Sequence, residues 1–171
     1  MTGETFSSGR VAALFAGALA FAVIAMALVL EHGFGYAPCP LCLEQRWPYY
    51  LGVPLAALLA VAGDRLPKTV LALGLVVLAG LFAWGLSIGA YQAGAEWGWW
   101  LGPRDCSTGN VGANPAGVGG LLDAINQSTV VSCTDPRLRI LGLSLAGWNA
   151  VVMAGLIGVA LWGAWRSLRS R

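Results

Sequence analysis

The chain has 171 residues, of which 57% are apolar and 11% charged, with 24 glycines and a net charge of +2. That composition excludes an ordinary soluble domain. The small net charge gives no reason to expect a nucleic-acid partner.

Four uncharged apolar runs follow one another, at 11–30, 47–63, 69–91 and about 140–165. Each is close to the length that crosses a hydrocarbon core of ~30 Å. The expected fold is therefore an all-α membrane protein, a four-helix transmembrane bundle forming a single integral domain over 1–171. The first run follows Arg10 and is rich in alanine, as a signal peptide would be. Its length and the lack of a small-residue cleavage site before a polar segment favour a retained helix.

Between the first two runs stands Ala37-Pro38-Cys39-Pro40-Leu41-Cys42-Leu43-Glu44-Gln45-Arg46. Pro40 suits the first position of a helix, so both sulfurs fall within a first turn, where free N–H groups and the helix dipole favour an anion. Thiol–disulfide exchange needs a thiolate, and these surroundings promote one. Arg46 lies four residues beyond Cys42, on the same face if the helix continues. An arginine at the bilayer edge is a candidate functional residue, able to stabilise a Cys42 thiolate or hold an oxygen of an electron acceptor. The competing readings are snorkelling to the headgroups or pairing with Glu44 or Glu31.

Asp64-Arg65-Leu66-Pro67-Lys68 reads as a tight turn making the second and third helices antiparallel neighbours. Recurrent glycines in the later runs suit close helix approach in lipid. After the third run, 92–139 reads as a long loop broken by glycine, proline, asparagine and serine. Trp97, Trp99 and Trp100 at its start suit the headgroup zone and membrane lipid. Asn114-Pro115 resembles a helix start, and Val118, Leu121, Leu122 and Ile125 form one apolar face. A short surface helix is expected there.

Arg10, Arg65, Lys68, Arg166, Arg169 and Arg171 fall on one side of the bundle, whereas Arg46, Arg104, Arg137 and Arg139 are spread over the other. Both termini are therefore expected in the cytoplasm. All four cysteines, Cys39, Cys42, Cys106 and Cys133, then face an oxidising compartment, where disulfides persist. Zinc is a poor alternative: Cys106 and Cys133 are separated by 26 residues, and the single histidine, His32, precedes the first pair. No metal site is expected.

The order of four helices, Cys39-Pro40-Leu41-Cys42 with Arg46 beyond it, and a long loop holding two further cysteines resembles the DsbB family of disulfide bond formation proteins. Tyr91-Gln92-Ala93-Gly94-Ala95-Glu96 and Leu141-Gly142-Leu143-Ser144 also look like that family. The resemblance implies a quinone-dependent oxidoreductase of the bacterial inner membrane, with its cysteines on the periplasmic side. It would reoxidise a thioredoxin-like, DsbA-like dithiol oxidase and so support disulfide formation; in bacteria that system keeps the periplasm oxidising kinetically.

By the same resemblance, the partner's thiolate attacks Cys106, Cys133 is the intramolecular partner of Cys106, and Cys39 and Cys42 reoxidise the loop pair. Cys42, beside Arg46, passes electrons to ubiquinone or menaquinone. Some members carry a histidine near the end of the third helix that is linked with quinone binding, where this chain has Gln92 and Ala93. In a vitamin-K-epoxide-reductase-like enzyme the loop cysteines would precede the C-x-x-C. A non-catalytic membrane protein with structural disulfides, or a small transporter subunit, is the reading from another class; the helix interiors offer a transporter only minor polar groups such as Ser87, Ser144 and Asn149.

Overall fold

The computed structural model describes residues 8–102 and 138–169. Its helices are α1 (Ser8–Phe34), α2 (Pro40–Glu44), α3 (Trp47–Ala62), α4 (Lys68–Glu96) and α5 (Leu145–Arg169), with strands β1 (Arg139–Ile140) and β2 (Leu143–Ser144) before α5. The surface helix expected near 114–125, and Cys106 and Cys133, lie outside the described residues.

Along α1 the small side chains face inward and the large ones outward. On α1, Ala12, Ala13, Ala16 and Ala20 are buried while Val11, Phe15, Phe21 and Met26 are exposed. A chain folding in water would reverse this arrangement; in lipid, small residues let backbones approach and bulky ones meet the acyl chains. Gly163 of α5 shows the closeness of approach, since a Cβ there would collide with the Cβ of Ala12. Larger side chains fill the centre, where Phe82, Leu75, Leu78, Met153 and Leu156 are fully buried. The most extensive helix contact is between α4 and α5, and α1 packs against α3 and α5.

Among the described residues three helices are long and apolar enough to cross a membrane: α1, α4 and α5. The run expected as a second span forms α3, which at 16 residues is about 24 Å long at 1.5 Å per residue. It is separated from α2 by a turn at Gln45 and Arg46. Pro48 accounts for that break, because it has no N–H to donate and its ring would crowd the carbonyl of Glu44. Arg46 is consequently the N-cap residue of α3, and not one turn further along the helix that carries the cysteines.

Two other boundaries depart from the expectation. The third helix does not end at Tyr91 but continues to Glu96, taking Gln92 out of the expected loop. Its terminator is Gly98, whose φ of 74° is left-handed. Trp99 N donates to Gly94 O at 2.9 Å and Gly98 N to Ala95 O at 3.1 Å, the paired bonds of a Schellman end.

The last helix, expected from about 140, starts at Leu145 because residues 139–144 form a small antiparallel hairpin pairing Arg139 with Ser144 and Ile140 with Leu143. Its two-residue turn is Leu141-Gly142, with φ of 53° and 83°, the signs a tight hairpin turn demands. Ser144 then caps α5, its Oγ accepting from Gly147 N at 3.1 Å. Trp148 Nε1 ties the helix back to the hairpin through Ile140 O at 2.9 Å.

At the opposite end of the bundle Arg10 Nε donates to Ala60 O at 2.6 Å, and its guanidinium pairs with Asp64. These contacts fix the start of α1 to the end of α3, leaving the other ends of α1, α4 and α5 to enclose the cysteine pair.

Candidate functional site

Cys39 and Cys42 are joined in a disulfide, with their Cα atoms 5.0 Å apart. The local sequence explains the placement. Cys39 is the N-cap of α2 in an extended conformation, with Pro40 following, and its sulfur accepts from Cys42 N at 3.1 Å. The cysteine thus takes the position usually held by serine or aspartate, where an otherwise unpaired helical N–H needs an acceptor. Cys39 is 2% exposed, whereas Cys42 is half-buried.

Both cysteines border a cavity of about 470 Å³. Apolar residues of α1 and α5, among them Ile24, Met26, Leu30 and Val152, form its walls, while Arg46, Gln92, Glu96 and Asn149 supply its polar part.

Arg46 is 11% exposed at its side chain, and its Nη1 donates to Glu31 Oε2 at 2.5 Å. Of the alternatives the sequence leaves open, pairing with Glu31 is the one observed, and the arginine still borders the cavity. A guanidinium has five N–H donors in a fork. One carboxylate contact therefore does not exhaust it.

In the sequence Gln92 stands out only within the family-like Tyr91–Glu96 stretch and as the residue found where some members carry a histidine, and Gln45 only as a member of the stretch that follows the cysteines. Both are buried. Gln45 Nε2 donates to Gln92 Oε1 at 2.7 Å, and Asn149 Nδ2 donates to Gln45 Oε1 at 2.6 Å. Tyr49 OH donates to Asn149 Oδ1 at 2.5 Å. At the other end Gln92 Nε2 lies 3.5 Å from Cys39 Sγ and 3.6 Å from Cys42 Sγ, and 3.3 Å from Glu96 Oε1. The signal available in the sequence was the carboxamides themselves: polar groups set among apolar helices must find partners, and these found one another.

Glu96 Oε2 is buried and has no hydrogen-bond partner among the described residues. An unsatisfied buried acceptor beside a cavity is where a donor on a ligand would be accommodated. Among the described residues no cluster of three metal-ligating side chains is present.

A bundle of membrane-crossing helices with a cysteine pair set beside an apolar cavity defines a class: membrane proteins equipped for thiol–disulfide chemistry next to lipid. The family model described as disulfide bond formation protein DsbB matches residues 9–163. The chain is 32% identical over 143 residues to disulfide bond formation protein B of Polaromonas sp. (strain JS666 / ATCC BAA-500), covering 80% of this chain and 82% of that one. It is likewise 32% identical over 149 residues to the protein of that name from Marinobacter nauticus, covering 81% and 82%, and 31% identical over 147 residues to that of Dechloromonas aromatica, again covering 81% and 82%. No solved structure matches the chain significantly. The chain belongs to the DsbB family of disulfide bond formation proteins.

Proposed function

We propose that this protein is a quinone-dependent thiol oxidase that takes two electrons from a thioredoxin-like dithiol protein and delivers them to the membrane. The observation that carries this reading is the Cys39–Cys42 disulfide at the start of α2, bordering an apolar cavity that also has Arg46 and Glu96 on its wall. A structural disulfide needs neither the cavity nor the arginine.

The chain's own residues fit a quinone. The apolar walls suit a prenylated ring, the Arg46 guanidinium suits a carbonyl oxygen, and Glu96 Oε2, unpaired among the described residues, suits a hydroxyl of the reduced ring. When bound, a quinone supplies the acceptor for two electrons and two protons. Cys42, the more accessible sulfur, is the one to face it, and Cys39 is the sulfur through which the pair is held and closed again.

On the donor side, a thiolate of the partner attacks Cys106 and breaks its bond to Cys133; the second partner thiol then attacks the mixed disulfide, and the partner leaves oxidised. Cys106 and Cys133, now reduced, exchange with Cys39 and Cys42. Each exchange moves one electron pair, forms one S–S bond and breaks another, so a favourable last step can draw an unfavourable earlier one forward.

In the membrane, α2 and α3 together supply the fourth crossing beside α1, α4 and α5. The side bearing Arg10, Arg65, Lys68, Arg166 and Arg169 faces the cytoplasm. The cysteines then face the periplasm across the bacterial inner membrane.

The test is quinone absorbance over time, using purified oxidised protein, a reduced thioredoxin-like periplasmic protein and a soluble quinone analogue. Reduction that depends on the partner and disappears in Cys42→Ser supports the relay. No reduction with either a ubiquinone or a menaquinone analogue, with the cysteines remaining oxidised, refutes it in favour of structural disulfides.

A further inference from the structure

We infer that Gln92 sets the reduction potential of the Cys39–Cys42 pair, its side-chain N–H being held toward both sulfurs by a one-directional chain of hydrogen bonds. The inference rests on the proposed role of that pair in electron transfer, and adds to it a residue that makes the pair a better electron acceptor.

The direction of the chain follows from its sulfur end. A disulfide has no proton to donate, so the group of Gln92 that faces it at 3.5 and 3.6 Å is the NH₂. The oxygen of Gln92 must then face Gln45, which has to present its own NH₂, at 2.7 Å. The same requirement passes to Asn149, whose NH₂ meets Gln45 Oε1 at 2.6 Å. It ends at Tyr49, whose hydroxyl donates to Asn149 Oδ1 at 2.5 Å. Reversing any one amide would bring oxygen against oxygen or NH₂ against NH₂ at the next link. Three helices and the α2–α3 turn contribute members, so the orientation is imposed by the tertiary fold and not by Gln92 itself.

The consequence is an asymmetry between redox states. When a donor dithiol reduces the pair, the Cys39–Cys42 bond breaks, the donor closes its own disulfide, and two electrons come to rest on Cys39 and Cys42. The two protons released by the donor are divided between the new thiols and solvent. A disulfide sulfur is a weak acceptor, but a thiolate is a strong one, and hydrogen bonds to ionised acceptors are about twice as strong as neutral ones. Gln92 already points the required donor, so it favours the reduced state without reorganising. The Cys42 N–H that reaches Cys39 Sγ at 3.1 Å acts in the same sense.

The test is the equilibrium between the pair and a graded glutathione redox buffer, read by alkylation and mass spectrometry of the peptide containing Cys39 and Cys42. It uses the full chain in detergent with Cys106→Ser and Cys133→Ser, so that only this pair titrates. Gln92→Met, which keeps the length and apolar stem but has no donor, is expected to lower the equilibrium constant for reduction about tenfold, equivalent to ~30 mV for a two-electron couple. Gln92→Glu, which has the shape of glutamine but presents an acceptor, is expected to lower it at least as far. That ordering would not arise from packing, and either variant alone carries the sign. A pair that is readily reduced in glutathione buffers but has the same midpoint in both variants overturns the inference and leaves the proposed function standing. A wild-type pair that stays closed in those buffers overturns both.

Discussion

Arg46 and Glu31 join the turn after α2 to the last turns of α1, through the 2.5 Å contact from Nη1 to Oε2. Both side chains are largely shielded from water, at 11% and 26% exposure, so screening weakens the pair less than at an open surface. The carboxylate fixes where the guanidinium sits beside the cavity. Replacing Glu31 with Gln leaves that cation without its anionic partner and free to turn away. The expected outcome is a several-fold higher KM for a quinone analogue, with kcat at saturation nearly unchanged. Arg46→Ala should raise KM further, and the double variant should resemble Arg46→Ala alone, because Glu31 acts through the arginine. A double variant whose effects simply multiply would show that the two residues act separately.

The proposed relay separates a donor end from an acceptor end, and the two can be broken independently. Cys106→Ala is expected to abolish oxidation of the thioredoxin-like partner while leaving quinone binding intact, as measured by fluorescence quenching of the bundle's tryptophans. Arg46→Ala should do the reverse, with quinone affinity reduced about tenfold while the partner is still captured as a mixed disulfide on non-reducing gels. Equal loss of quinone binding in both variants would contradict this division of labour.

The helices and the helix start at the cysteine pair were legible because their signals are local. Long uncharged runs mark α1, α4 and α5, and Cys-Pro-Leu-Cys marks a helix start whatever surrounds it. Boundaries were less legible where a terminator had to be chosen among several glycines: Gly98, and not the polar Gln92, ends α4, because its left-handed φ permits the Schellman bonds. The break between α2 and α3 was written in Pro48 but masked by the continuous apolar run around it. The polar network could not be read at all as a network, since Gln45, Gln92 and Asn149 are distant in sequence and meet only when α4 and α5 pack against the α2–α3 turn. Each amide alone resembles an ordinary polar interruption.

Packing of the bundle makes a prediction that is independent of the chemistry. A Cβ on Gly163 would meet Ala12 Cβ at less than contact distance, with Leu75 Cδ1 3.4 Å away, whereas one on Gly80 would meet nothing within 4 Å. Gly163→Leu should force α1 from α5 and destabilise the protein by about 1–3 kcal/mol or more, the range for overpacked cores. Gly80→Ala should be neutral or slightly stabilising, since alanine is favoured over glycine within helices by up to about 1 kcal/mol. Thermal unfolding in detergent, followed by circular dichroism, tests the contrast. Equal melting temperatures in the two variants would mean that α1 and α5 are not in close contact at this point.

The two sulfurs of the Cys39–Cys42 pair should also differ once reduced. Cys39 is 2% exposed and serves as the cap of α2, receiving the Cys42 N–H and lying 3.5 Å from the Gln92 amide. Cys42 is half-buried. An alkylating reagent entering from the cavity therefore meets Cys42 first, whatever the intrinsic nucleophilicity gained by Cys39 from its donors, because a buried sulfur cannot reach the in-line geometry that substitution needs. After reduction and brief exposure to iodoacetamide, mass spectrometry should find Cys42 modified about tenfold faster than Cys39. Occupying the cavity with a quinone analogue should slow Cys42 and leave Cys39 nearly unaffected. Faster modification of Cys39 would reverse the assignment, making Cys39 the sulfur that faces the acceptor and Cys42 the one that closes the bond.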